Sequence, residues 1–151
     1  MSRALVLSAA LALSVALIAY GRTTGAGHGA LRGPYVGSYS ATLTSLQAGA
    51  RGDSRLAGRF LLVIRRNGTY TDSNPLDGHD AGRVEALGHH RLRFYDDRGC
   101  KLGGYERPEG GIYRWSVNGG RLTLRLVNEG GCTGRTDTLT FPVWIRTQPM
   151  A

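Results

Sequence analysis

Strict alternation between apolar and polar residues is the feature that most limits what this chain can fold into. From residue 34 onward apolar side chains return at every second position in short runs, as in Arg91-Leu92-Arg93-Phe94, and Gly, Asn and Asp separate the runs. Successive side chains of a strand point to opposite faces, so these runs predict strands with one buried face. No stretch after residue 33 has helical periodicity of useful length. The sequence therefore predicts an all-β domain.

Eight such runs can be distinguished. They are Tyr35–Leu43, Arg59–Arg65, a short run around Tyr70, a run holding Val84 and Ala86, Arg91–Phe94, Tyr113–Val117, Arg121–Leu126 and Leu139–Ile145. One-sided strands are typical of antiparallel sheets that have one face in water. Eight of them at regular spacing indicate either a sandwich or an up-and-down barrel.

The lengths of the connections favour the barrel. Three are tight turns, at Asn67-Gly68, at Gly88-His89 and at Asn118-Gly119-Gly120. They alternate with four connections that we predict to be long, at residues 44–57, 73–82, 96–110 and 128–135. In a meander of strands, alternate connections lie at the same end. We therefore predict an eight-stranded antiparallel up-and-down barrel with tight turns at one end and long loops at the other.

The two cysteines are predicted to form one disulfide. Cys100 lies in the fifth connection and Cys132 in the seventh, and the meander places both connections at the same end of the barrel. Two cysteines in an exported chain are expected to pair in an oxidising compartment. Closing such a loop stabilises a fold by about 3–4 kcal/mol in the chain-entropy description.

The N-terminal segment predicts export. Arg3 precedes an apolar run from Ala4 to Tyr20, a pattern typical of the helix of a secretory signal or of an uncleaved membrane anchor. We assign residues 1–26 to this leader, 27–33 to a glycine-rich flexible spacer and 34–147 to the β-barrel domain. The expected location is outside the cell or in the cell envelope, and contact with a membrane is expected through an uncleaved leader.

The pattern resembles the calycin group, which comprises the lipocalins and their smaller bacterial and avidin-like relatives. Lipocalins begin their first strand with Gly-x-Trp, and Gly37-Ser38-Tyr39 occupies that place here with Tyr for Trp. They also carry an arginine near the end of the last strand, packed over that aromatic ring, and Arg146 stands at the corresponding position. The chain stops soon after the eighth predicted strand, so a shortened, bacterial lipocalin-like barrel is expected. The same architecture is also found among secreted bacterial inhibitors of proteases, so the resemblance implies the fold and leaves the function open.

The predicted interior is aromatic and aliphatic, which suggests binding rather than catalysis. The candidate ligand-binding residues are Tyr39, Leu62, Tyr113, Trp115 and Leu124. We expect an exported non-catalytic protein that holds a small apolar or amphiphilic ligand inside the barrel or at its mouth. The alternative is a filled core, because an eight-stranded barrel is only just wide enough for one small ligand.

The residues that could support catalysis or bind a metal do not converge in the predicted fold. His79 lies in the third connection with Asp77 and Asp80, whereas His89 and His90 lie in a tight turn at the other end. A metal site needs three or four ligands in one place. We therefore predict no catalytic residues, no metal and no cofactor.

The charge of the chain suggests two further kinds of partner. The formal net charge is +8, and nearly all of the positive charge is arginine. Outward-facing arginines on the fifth, sixth and seventh strands are predicted to form a basic stripe: Arg91, Arg93, Arg114, Arg121 and Arg125. Such a stripe could bind an anionic cell-wall polymer or lipid headgroups, or it could be a solvated face produced by an arginine-rich composition. Nucleic acid is not expected, because no exposed aromatic residues are interleaved with the arginines.

The remaining alternative is a protein-binding module, such as an inhibitor of an extracellular enzyme, that uses loops 96–110 and 128–135.

Overall fold

Eight antiparallel strands form a closed barrel in sequence order. The computed structural model describes residues 30–76, 78–102 and 110–147. The strands are β1 Gly37–Leu43, β2 Gly58–Ile64, β3 Thr69–Asn74, β4 Gly78–Ala86, β5 Arg91–Tyr95, β6 Gly111–Asn118, β7 Arg121–Asn128 and β8 Trp144–Arg146. Each strand pairs with the next, and β8 pairs with β1 to complete the ring. The predicted up-and-down barrel is confirmed.

Alternation in sequence becomes alternation between core and surface. In β2 the side chains of Phe60, Leu62 and Ile64 are buried while Arg59 and Leu61 face outward. Aromatic rings fill the middle of the barrel, where the ring of Phe94 makes edge-to-face contacts with Tyr70 at 4.9 Å and with Tyr113 at 5.6 Å. Edge-to-face rings at these separations are favourable beyond the area they bury.

The three predicted tight turns lie at one end of the barrel, which we call the closed end. Between β6 and β7 only Gly119 and Gly120 remain outside the strands, with φ angles of +53° and +74°. A two-residue hairpin turn of this type needs positive φ at both positions, and glycine adopts positive φ without steric cost.

Short helices lie at the opposite end, which we call the mouth. They are α1 Ser45–Gly49, α2 Arg98–Leu102 and α3 Thr133–Thr140, with a 3-10 turn at Ser54–Leu56 after α1. Within the part of the chain that the structure describes, no helix is both long enough and apolar enough to cross a membrane. The predicted leader, residues 1–26, lies outside the described residues, as do residues 27–29 of the predicted spacer. At the end of that spacer Leu31 is buried, and its backbone N–H donates to the carbonyl of Arg66 at 2.7 Å.

The eighth predicted strand is wrong in extent and in phase. Its first two residues, Leu139 and Thr140, belong to α3 instead, and β8 contains three residues. Trp144 is fully buried, whereas Val143 and Ile145 are each 43% exposed, so the apolar residues at odd positions are not the inward set. Trp144 Nε1 donates to the carbonyl of Leu139 at 3.0 Å. This bond satisfies one of the carbonyls that the end of α3 leaves without an intrahelical partner.

Helix α3 lies across the mouth. Its Thr138 Oγ1 accepts from Asn74 Nδ2 of β3 at 3.0 Å, and its Thr136 hydroxyl lies 3.1 Å from the Tyr113 hydroxyl of β6. Strands β3 and β6 are separated by two strands around the barrel. A helix that contacts both therefore bridges the opening, and its buried Leu139 is part of the core.

Two further predictions need correction. The third connection is a tight turn rather than the long loop 73–82, because β3 continues to Asn74 and β4 begins at Gly78. In β7, Leu122 and Leu124 are buried as predicted, but Leu126 is 45% exposed. The ladder shifts register between Ile112 and Tyr113 of β6, and this irregularity places Leu126 at the rim of the barrel.

Candidate functional site

The five predicted ligand-binding residues belong to the packed interior. Tyr39, Leu62, Tyr113 and Leu124 are at most 1% exposed. Trp115 is partly buried, and its ring lies 5.0 Å from the ring of Tyr35 and 4.6 Å from that of His90. These side chains contact other side chains of the barrel, and none of the five lines the cavity at the mouth described below. That they bind a ligand stays a prediction.

Tyr39 and Arg146 form a clamp between the first and last strands. The Arg146 guanidinium lies 5.0 Å from the centre of the Tyr39 ring, and its Nη2 donates to the Tyr39 hydroxyl at 2.8 Å. It also donates to the carbonyls of Pro34 and Val36, the second at 3.0 Å. Burial raises the pKa of Tyr39, and the charge of Arg146 opposes this shift. The clamp has the arrangement that the resemblance implied, and it secures the joint between β1 and β8.

The predicted disulfide is confirmed, and a buried ion pair lies beside it. Cys100 and Cys132 are bonded, with their Cα atoms 5.8 Å apart. Asp97 and Arg135 form an ion pair whose side chains are 0% and 1% exposed. Asp97 stands three residues before Cys100, and Arg135 stands three residues after Cys132. The connections on either side of the β6–β7 hairpin are therefore held together twice, by a covalent bond and by buried charges.

Arg135 reaches several groups from this position. Its Nη1 donates to Asp97 Oδ2, its Nη2 donates to the carbonyl of Glu129 at 2.7 Å, and its Nε lies 3.4 Å from the Tyr113 hydroxyl. A buried guanidinium needs such partners, because an uncompensated charge is costly to remove from water. Burial raises the pKa of Tyr113, and its hydrogen bond to Thr136 and the nearby Arg135 charge act in the opposite direction.

Two glycines provide the space that the ion pair occupies. A Cβ at Gly82 would lie 2.8 Å from Asp97 Oδ1 and 2.8 Å from Cε1 of the Tyr70 ring. A Cβ at Gly111 would lie 2.9 Å from Arg135 Nη2 and 2.8 Å from the Tyr113 hydroxyl oxygen. Side-chain carbons do not approach other atoms this closely. The sequence must therefore have glycine at both positions for the ion pair to form as it does.

A cavity of about 380 Å³ opens at the mouth between α3, α2 and the β3–β4 hairpin. Polar and charged residues line it together with the disulfide: Asp72, Asn74, His79, Asp80, Arg98, Gly99, Cys100, Cys132, Gly134, Arg135 and Thr138. Asp72, Arg135 and Thr138 are buried, whereas His79 and Arg98 are exposed. The cavity can offer hydrogen-bond donors and acceptors to the same small molecule.

The walls of the cavity are fixed by hydrogen bonds between neighbouring elements. Asp80 Oδ1 accepts from the backbone N–H of Gly99 at 2.9 Å, which joins β4 to α2. Asn74 joins β3 to α3 through Thr138, and its Oδ1 also accepts from the N–H of Leu76 at 2.8 Å. Together with the disulfide, these bonds give the cavity a defined shape before any ligand enters.

The histidines are as far apart as the sequence predicted. His79 and Asp80 lie on β4 beside the cavity, not in a loop, and Asp77 lies outside the described residues. His89 and His90 form the closed-end turn with positive φ angles of 48° and 58°. Over residues 30–76, 78–102 and 110–147, no three His, Cys, Asp or Glu side chains are grouped so that they could hold a metal ion.

The five arginines of the predicted stripe are not equivalent. Arg91 lies directly opposite Arg114, and Arg114 lies directly opposite Arg125, so these three form one line across β5, β6 and β7. Arg93 is instead paired with Glu85 at 2.5 Å and lies over the ring of Tyr95. Arg121 stands at the closed end, opposite Asn118.

Sequence reasoning missed the residues that give the mouth its chemistry. Asp97, Arg135 and Thr138 were not singled out, because nothing local marks a charged pair 38 residues apart as buried. One signal was available. Each charged residue stands three positions from a cysteine, so pairing the cysteines also brings the two charges together.

Comparisons of the chain with protein-family models, with curated proteins and with solved structures gave no match.

Proposed function

We propose that this chain is an exported, non-catalytic binding protein that holds one small polar or amphiphilic molecule at the mouth of a lipocalin-like barrel. The observation that carries the proposal is the cavity of about 380 Å³ beneath α3. Its volume lies within the range of about 300–1,000 Å³ that is typical of small-molecule sites. The interior of the barrel is occupied by aromatic side chains, so we place the ligand at the mouth.

The chemistry of the wall determines the kind of ligand. Arg98 and His79 can interact with an anionic or acceptor group, and Asp80 can accept from a donor group on the same molecule. The disulfide supplies an apolar surface between them. These groups favour a molecule that carries both donors and acceptors over a purely aliphatic one.

Rigidity of the site supports binding over catalysis. The disulfide and the buried Asp97–Arg135 pair hold the cavity wall in place, and preorganisation of this kind lowers the cost of ordering a site when the ligand binds. Neither Arg135 nor Asp97 is available as a proton-transfer group, because each is engaged with the other.

Native mass spectrometry of the protein purified from its own host tests the proposal. We expect a small molecule to remain bound under gentle ionisation. The Gly134→Leu variant should lose it, because Gly134 lines the cavity and a Cβ there meets no atom within 4 Å. A leucine at this position can occupy the cavity without clashing with the fold.

The matched control is Gly49→Leu. Gly49 also lies in a helix, a Cβ there also meets no atom within 4 Å, and it does not line the cavity. This variant should retain the ligand. The proposal is wrong if the wild-type protein carries no small molecule, or if Gly134→Leu retains it as well as Gly49→Leu does.

A further inference from the structure

Three arginines form a continuous line on the outer wall of the barrel, and we call Arg91, Arg114 and Arg125 the arginine row. They are direct cross-strand neighbours on β5, β6 and β7. Adjacent strands lie about 4.8 Å apart, so the outer two backbone positions are about 10 Å apart. The row is a straight band of three positive charges perpendicular to the strands.

The arginine row lowers the stability of the isolated protein through repulsion between its charges. Like charges directly opposite each other on neighbouring strands destabilise a sheet. Among the described residues, no ion pair or side-chain hydrogen bond joins any of the three to an acidic group, in contrast to Arg93, which contacts Glu85 at 2.5 Å. The buried Nε of Arg91 has no hydrogen-bond partner among the described residues either. An external anion would relieve this repulsion.

An exposed aliphatic side chain lies at one end of the row. Val127 follows Arg125 by two residues on β7 and is 49% exposed, whereas Leu126 lies directly opposite the buried Tyr113 and therefore belongs to the inner face. The large hydrophobic residues exposed in the described part of the chain are all aliphatic. A polyanion such as single-stranded nucleic acid is bound with exposed aromatic rings for stacking, which this wall lacks. Basic residues beside exposed aliphatic ones fit a lipid surface better.

We propose that this wall binds the surface of a membrane that contains anionic phospholipid. The arginine row contacts the headgroup phosphates, and Val127 enters the boundary between headgroups and acyl chains. This contact is separate from the cavity at the mouth and from any attachment through the N-terminal segment.

Co-sedimentation with vesicles tests the proposal, using the protein in the form that its host produces. The probes are vesicles of phosphatidylcholine alone and vesicles of phosphatidylcholine with 30 mol% phosphatidylglycerol. We measure the ratio of partition coefficients between the two, because an apolar N-terminal segment would bind both. Each arginine at the surface of an anionic membrane changes partitioning about fivefold, so replacing all three by glutamine should lower the ratio about 100-fold.

A matched control removes the same net charge elsewhere. Arg32, Arg59 and Arg66 are exposed and lie outside β5, β6 and β7, so their triple replacement by glutamine tests the overall charge alone. This control should change the ratio by about threefold or less, since screening confines the effect of exposed charges to about a Debye length. Melting temperatures check folding, and the row variant should melt at the wild-type temperature or above it in low salt.

Three outcomes would overturn the proposal. The first is a wild-type protein with no preference for anionic vesicles, and the second is an equal loss of binding in the row variant and in the control. The third is a Val127→Ser variant that binds anionic vesicles as well as the wild type does. That result, combined with loss of binding in the row variant, would show that the wall recognises phosphate groups alone, without insertion of a side chain into the membrane.

Discussion

The buried Asp97–Arg135 pair gives the sharpest quantitative prediction about this fold. Replacing Asp97 by Asn leaves the guanidinium of Arg135 without its counter-ion in a site that is 1% exposed. Replacing Arg135 by Met leaves the carboxylate of Asp97 at 0% exposure. Removing one partner of a buried ion pair costs about 3–5 kcal/mol, because the other charge stays buried and uncompensated. In a domain of this size, such a loss lowers the melting temperature by roughly 15 °C.

The double variant distinguishes the cost of losing the ion pair from the cost of leaving one buried charge without its partner. With both charges removed, neither desolvation penalty remains, so we expect the Asp97→Asn, Arg135→Met protein to lose no more than about 3 kcal/mol. If the two effects simply added, the loss would be about 6–10 kcal/mol, which is comparable to the whole stability of an ordinary domain. The expected coupling is therefore several kcal/mol and well outside experimental error.

Urea unfolding of the oxidised protein measures these differences, with tryptophan fluorescence as the probe because Trp144 is fully buried and Trp115 is partly buried. The exposed Asp53–Arg55 pair is the control, because its arginine is 77% exposed. Asp53→Asn should produce no measurable change in the free energy of unfolding. Additive single and double variants, or single variants that each lose less than about 1 kcal/mol, would refute the reasoning.

Two further substitutions test neighbouring features. Gly82→Ala should destabilise the fold by about 1–3 kcal/mol in urea unfolding, because its Cβ would lie 2.8 Å from a carbonyl oxygen, a carboxylate oxygen and a ring carbon. Gly134→Ala, in a helix and free of such contacts, should stabilise the fold by up to about 1 kcal/mol. Equal effects of the two substitutions would contradict the prediction. Burial and the nearby charges of Glu129 and Asp53 raise the pKa of Asp137. The folded protein therefore binds this proton more tightly than the unfolded chain does, so stability from this group is complete below the unfolded value of 3.8 and is lost as the pH rises through the raised value. Asp137→Asn should accordingly melt at a higher temperature than the wild type at pH 7 and at the same temperature below pH 3.8. A difference in melting temperature that is confined to acid pH would show that the pKa of Asp137 is not raised by folding.

The barrel could be predicted from the sequence because its determinants are local. Alternating residues such as Phe60, Leu62 and Ile64 fix which face of a strand is buried. Glycines at turns such as Gly119-Gly120 fix where a strand reverses. Once the strands follow one another around a ring, the pairing of Cys100 with Cys132 follows from the topology.

The mouth could not be predicted, because its determinants are distant in sequence. Residues 133–140 are rich in threonine and have no helical pattern of apolar residues, and only Leu139 among them enters the hydrophobic core. The helix depends on contacts with Asn74 of β3, with Tyr113 of β6 and with Asp97 in the connection between β5 and α2. Polar residues at the end of β3 and the start of β4 suggested a loop, but Asn74 there contacts Thr138 of α3 and Asp80 contacts Gly99 of α2. Alternation cannot identify strands whose buried neighbours are themselves polar.

The short last strand has a consequence for how the molecule is made. Strand β8 contains three residues, and its ladders with β1 and β7 each comprise two residue pairs. During synthesis the first seven strands emerge before it, and until Trp144 and Arg146 emerge they can form only an open sheet with two free edges. Ring closure must therefore be the final step of folding on a nascent chain. A polypeptide stalled or cut before residue 144 would expose both edges to other chains and would be prone to aggregate.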